Sequence, residues 1–190
     1  MNPLLLIVLG WIGVGLEMGL KSAFTFHFGS TVGAPSFAVP IVVLIAICAP
    51  PIPALWFAIA VGVLLDLTSP LLTTTSSAIF LVGPSSLSLI LGAQFVLLVR
   101  GMVIRRHPLT MVILSVAASA ISAICTVAII TIRHLILRDP IEWSATHELT
   151  SRLFSAVLTG GSALVLAILL LPLSPLLGLT AAHARIRTRR

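Results

Sequence analysis

Charged residues are scarce in this 190-residue chain: they make up 8% of it, with five Asp and Glu in all, where a soluble domain carries about 25%. Apolar residues reach 58%, and mean hydropathy is +1.21. These figures exclude a soluble globular enzyme, a disordered chain and an ordinary nucleic-acid-binding domain. Cysteine is nearly missing too. Cys48 and Cys125 both lie inside apolar runs without metal-ligand spacing, and such thiols behave as small hydrophobes that say nothing about redox compartment.

The catalytic motifs that work inside or beside membranes are also missing. His147-Glu148 is followed by Leu149 to Arg152, so the second histidine of a metalloprotease helix is not there. There is no GxSxG elbow, and the cluster Ser85, Ser86, Ser88 has no partner base nearby in sequence. No glycine-rich loop ends in Lys-Ser/Thr, which leaves out a nucleotide P-loop. Histidines 27, 107, 134, 147 and 183 fall in or near expected loops and span ends, where they meet solvent or headgroups. The chain is expected to carry no catalytic site, no cofactor and no metal.

What is present is apolar helix. Crossing a hydrocarbon layer of ~30 Å takes about 20 apolar residues, so this length holds five or six spans and little else. The first run, Pro3 to Leu20, ends in Glu17 and Lys21, which share a helix face. It has no basic n-region or A-x-A site and is read as a retained span. Phe24, Phe26 and Phe28 then alternate with polar residues. They fit either interfacial anchors or a strand, and anchors are preferred because an unpaired strand cannot sit in lipid. Ser36 to Ala49 gives only ~21 Å of helix and contains Pro40. It is therefore a re-entrant segment or a span in a thinned bilayer. Pro50-Pro51-Ile52-Pro53 stops it and turns the chain back into a third run, Ala54 to Leu67, making an antiparallel hairpin.

Leu71 to Val99 is too long for one span, at ~43 Å as a helix. It divides at Gly83-Pro84 into a polar loop (Thr73 to Ser77), a short apolar piece (Ala78 to Val82) and a fourth span from Ser85 to about Ile104. The long stem of Arg100 lets its charge reach the interface near that span's end. The fifth run, Leu109 to Ile132, repeats small residues at three and four (Ser115, Ala118, Ser119, Ser122, Ala123), which invites close helix packing. Asp139-Pro140-Ile141-Glu142 is a helix-start pattern, and with Trp143 it suggests a short surface helix. The sixth run is Leu153 to Leu171. The expected domain plan is one six-span transmembrane unit over residues 1–180 and a basic cytoplasmic tail over 181–190.

Six spans put both termini on one side, with Arg100, Arg105, Arg106, Arg185, Arg187, Arg189 and Arg190. Lys21, Arg133, Arg138 and Arg152 fall on the other side, among most of the acids. That excess places both termini in the cytoplasm. The tail arginines serve as topology anchors and can bind anionic lipid. Gly15-x-x-x-Gly19 is a close-packing pattern, directed inward or at a partner. Asp66 ends an apolar helix with Gly62 one turn earlier on the same face. A carboxylate there needs water, a cation or a helix end. It reads as an interfacial stop, a structural link to the following loop, or a partner contact.

Phe57-Ala-Ile-Ala-Val-Gly62-Val-Leu-Leu-Asp66-Leu67, preceded by Gly33-Ala34-Pro35 and followed by Gly83-Pro84-Ser85-Ser86-Leu87 and Arg105-Arg106-His107-Pro108-Leu109, resembles the rod shape-determining membrane protein family MreD over about residues 33–115. The interval between Asp66 and Pro84 is longer than in that family, and Gly-Pro stands where Pro-Leu-Gly is usual, as in a divergent member. The resemblance implies an all-α, six-helix membrane fold related to the substrate-binding subunits of energy-coupling-factor transporters. It also implies a non-enzymatic scaffold of bacterial cell-wall elongation in the cytoplasmic membrane. Such a scaffold binds a single-span MreC-like protein within a machinery that includes MreB, RodA and a transpeptidase. The competing expectation is a substrate-binding subunit of a vitamin-type transporter, with Thr73 to Ser77, Gln94, Arg133 and Trp143 as the polar groups available to a pocket.

Overall fold

Proline opens four of the six helices, at Pro3, Pro51, Pro84 and Pro108. Its missing N–H falls among the donors that the first helical turn leaves unpaired in any case. The computed structural model describes residues 3–28, 31–68, 71–72, 78–79, 82–102, 107–137 and 144–170. The order is α1 (Pro3–Lys21), β1 (Phe26–Phe28), β2 (Thr31–Gly33), α2 (Ala38–Cys48), α3 (Pro51–Thr68), β3 (Leu71–Leu72), β4 (Ala78–Ile79), α4 (Pro84–Val99), α5 (Pro108–Leu137) and α6 (Ala145–Leu170). Helices α3, α5 and α6 are each long and apolar enough to cross a membrane, and α2 and α4 are shorter apolar helices. The protein is a helical membrane protein.

The centre of the bundle is α2. Its eleven residues make about 16 Å of helix, roughly half of a hydrocarbon layer. Every residue from Ala38 to Ile47 is buried, and α1, α3, α4, α5 and α6 all pack against it. A helix that is apolar all round belongs inside protein, and enclosure permits so short a helix at membrane depth. Pro40 sits in its first turn, where no backbone bond is lost. Only Ala49 and Pro50 separate α2 from α3, so the proline cluster makes the hairpin turn that its composition requires.

Glycines mark the tight crossings. A Cβ on Gly62 would lie 2.3 Å from Ser86 Cα, so α3 and α4 touch backbone to backbone. Gly92 of α4 sits against Ser122 Oγ and Ala118 O of α5, and Gly160 of α6 against Val116 of α5. The small-residue face of α5 thus receives α4 through Ala118 and Ser122. Gly15 and Gly19 do the opposite. Both are exposed on α1, with nothing within 4 Å of an added Cβ, so this GxxxG pattern packs against no other part of the bundle among the described residues.

Phe26 and Phe28 of the phenylalanine alternation stand on a strand, and Phe24 precedes it in a turn. β1 pairs antiparallel with β2 (Phe26 with Gly33, His27 with Val32, Phe28 with Thr31). The objection to an unpaired strand does not apply, because the partner lies a few residues on. Phe24 and Phe26 remain exposed, and the Phe24 ring meets Phe37 edge-on at 6.3 Å. Beyond Asp66, β3 and β4 pair as a second antiparallel hairpin. Thr73 to Ser77, Arg105, Arg106, the 139–142 helix start, Trp143 and the tail with Arg185, Arg187, Arg189 and Arg190 lie outside the described residues.

Candidate functional site

One end of the bundle collects the C-terminal ends of α1 and α3 and the N-terminal ends of α2, α4 and α6. The polar groups that the sequence scatters over more than a hundred residues meet here. Glu17, buried near the end of α1, turns its Oε2 onto the start of α2. It accepts from Ser36 Oγ at 3.0 Å, Phe37 N–H at 2.6 Å and Ala38 N–H at 3.2 Å. A helix exposes four unpaired N–H groups and about half a positive charge at this end. A carboxylate answers both, so Glu17 is committed to α2, nineteen and more residues away in sequence.

Asp66, also buried, does the same for α4 from the end of α3. Its Oδ2 accepts from Gly83 N–H at 2.7 Å and its Oδ1 from Ser85 N–H at 3.0 Å. Gly83 stands at φ +134°, a conformation closed to most side chains, and Pro84 between the two donors has no N–H to satisfy. Of the three readings open to Asp66, the structure shows the link to the chain beyond the loop. Gly62 lets α4 come close enough for that link.

The other end of α2 is closed by a cation. Arg100 does not simply extend its charge outward: its Nη1 donates to Ala46 O at 3.1 Å and Ala49 O at 2.7 Å, the unpaired carbonyls of the C-terminal turn. The buried central helix therefore carries a carboxylate at its positive pole and a guanidinium at its negative pole. Arg100→Gln shortens the reach and removes the charge. It is expected to lower stability by about 1–2 kcal/mol, read as a drop in unfolding midpoint in detergent, with α2 still formed.

Sequence reading missed a hydroxyl ladder on α6. Ser151 Oγ donates to Val32 O; Ser155 Oγ accepts from Ala34 N–H at 3.2 Å; Thr159 Oγ1 accepts from Ser36 N–H at 3.0 Å. Four helical residues advance about 6.0 Å and two extended residues about 6.6 Å, so alternate residues of the 32–36 segment find successive rungs. Ser162 Oγ adds a bond to Ser36 O at 2.6 Å. Gly33 fits because a Cβ there would meet Phe154 at 2.4 Å. The signal was present as hydroxyls at 151, 155 and 159, but nothing in the spacing named the segment they hold.

The serines of α4 also serve backbone. Ser86 Oγ donates to Gly83 O, Ser88 Oγ to Ser85 O, and Ser122 Oγ reaches Ser88 O from α5 at 3.0 Å. Gln94 is exposed on α4 and Arg133 stands near the C-terminal end of α5, and neither lines the cleft at this end of the bundle; Thr73 to Ser77 and Trp143 lie outside the described residues. A polar cleft of about 410 Å³ does form, between α1, α4, α5, α6 and the β1–β2 hairpin, and it is lined by different residues. Glu148 and Arg152 form an ion pair at 2.8 Å at its edge. No three His, Cys, Asp or Glu residues gather as a metal site among the described residues. No protein-family model, characterised protein or solved structure matches this chain.

Proposed function

We infer that the chain is a non-enzymatic membrane scaffold of MreD type, serving bacterial cell-wall elongation by holding a single-span MreC-like partner. In this reading it crosses the cytoplasmic membrane six times with both termini inside, in a fold related to the substrate-binding subunits of energy-coupling-factor transporters. The observation that carries the reading is the α3–α4 joint. Within the stretches that bear the family resemblance, Asp66 accepts from Gly83 and Ser85 on either side of Pro84, and Gly62 lies against the backbone of Ser85 and Ser86. Both membrane-depth carboxylates are spent on helix ends, which suits a body that presents fixed helix faces.

Those faces are available. Ile7, Val8, Trp11 and Ile12 of α1 and Leu109, Ile113 and Ile132 of α5 are exposed apolar positions, as lipid or a partner helix requires. The test is extraction of the full chain in mild detergent from a rod-shaped host, followed by mass spectrometry. The expected result is a single-span protein retained with the chain and loss of rod shape on deletion. Recovery of the chain alone, with normal cell shape in the deletion strain, would overturn the reading.

A further inference from the structure

The scaffold reading leaves the cleft without a use. Its volume of about 410 Å³ lies within the ~300–1,000 Å³ of small-molecule sites. Ten of its 21 lining residues are Ser or Thr, and none is aromatic. Most of these hydroxyls are engaged in the ladder and the caps already described. Three are not: the side chains of Ser85, Ser119 and Thr126 have no hydrogen-bond partner among the described residues. Thr126 is only 5% exposed and lines the cleft, whereas the polar side-chain atoms buried outright without a partner among the described residues, Ser115 Oγ and His134 Nδ1, are not on it.

The charges point the same way. Glu17 is committed to α2 and Arg152 to Glu148. That leaves Lys21, exposed at the end of α1, as a cation on the cleft with no ion-pair partner among the described residues. The ligand that complements this lining bears several hydroxyls, which both donate and accept, and one anionic group for the lysine. The lining offers no ring on which a flat heterocycle would stack. We propose that the cleft binds a polyol phosphate of the glycerol-phosphate class, with Thr126 and Ser119 holding hydroxyls and Lys21 the phosphate. That chemistry occurs both as a free ester in water and as a lipid headgroup. The site is independent of partner binding.

The test uses the full chain in phosphatidylcholine nanodiscs, prepared without maltoside detergents because their sugar heads would compete. One arm titrates glycerol 3-phosphate; the other dopes the discs with phosphatidylglycerol. The readouts are the unfolding midpoint and native mass spectrometry. At about 100 times its Kd a probe is expected to raise the midpoint by about 5 °C or more. A shift with the ester assigns an aqueous ligand and a shift with the lipid alone assigns a headgroup; either supports the site. Thr126→Val keeps the side-chain shape and breaks no bond. It should leave the ligand-free midpoint unchanged and weaken binding about tenfold, and Ser119→Ala serves if the valine variant fails to fold. The proposal is overturned if neither probe binds, or if binding survives unchanged in Thr126→Val combined with Lys21→Gln.

Discussion

Gly62→Leu is expected to separate α3 from α4 and to lower stability by about 3 kcal/mol or more. Overpacking a tight core typically costs about 1–3 kcal/mol because neighbours must leave their preferred rotamers. Here the neighbour is the backbone of Ser86, with its Cα 2.3 Å and its N 2.8 Å from the position of a Cβ, so no rotamer change relieves the clash. The shift would also draw Ser85 N–H away from Asp66 Oδ1, a 3.0 Å bond. Gly15→Leu and Gly19→Leu are the controls. Both positions are open, and leucine is favoured over glycine in a helix by nearly 1 kcal/mol, so neither should destabilise. Chemical unfolding of the three variants in the same detergent checks the ranking. A Gly62→Leu protein as stable as the parent would mean that α3 and α4 do not touch as described.

Glu17→Ala is expected to release the start of α2 and to lower stability by about 3 kcal/mol. Three donors lose one charged acceptor, and hydrogen bonds to charged groups contribute about 1.5–3 kcal/mol each, without full additivity. The N–H groups of Phe37 and Ala38 then have no side-chain acceptor. Glu17→Gln keeps an acceptor oxygen but loses the interaction with the helix dipole, and should fall between parent and alanine. Amide exchange at 37 and 38 reads the effect directly: both sites should exchange faster in Glu17→Ala while the centre of α5 is unchanged.

Much of the frame is legible in the residues themselves. Prolines state where helices begin, and the lack of charge states where they lie. The run of α2 is legible as too short for an ordinary span, but its enclosure by the other helices is not, because a short apolar run fits a re-entrant segment or a thinned bilayer equally well. Asp66 beside Gly62 poses the right question, since a carboxylate at a helix end must bind something. What could not be read is the identity of partners far apart in the chain. Glu17 has an obvious neighbour in Lys21 one turn on, and local spacing favours that pair, but the unpaired N–H groups of α2 make a stronger demand. Arg100 similarly finds carbonyls more than fifty residues back. Spacing of the GxxxG kind names a smooth helix face without saying whether anything lies against it. Gly15 and Gly19 have that spacing and no neighbour among the described residues, whereas Gly62 has a neighbour and no glycine four residues away. The hydroxyls of α6 are polar in a way that suggests a loop contact, yet only the three-dimensional match between strand and helix rise makes them a ladder.

Glu17 and Asp66 hold the bundle together by satisfying the starts of α2 and α4, and the proposed scaffold role rests on the shape they fix. Asp66→Ala tests it most directly, with folding and partner retention measured on the same vesicle preparations. The two are expected to fall together: Asp66→Ala loses stability, exchange at Gly83 and Ser85 rises, and retention of the proposed single-span partner declines in proportion to folded protein. A variant that stays fully folded, with protected Gly83 and Ser85 amides, while losing its partner would contradict it, because Asp66 would then act outward and not on α4.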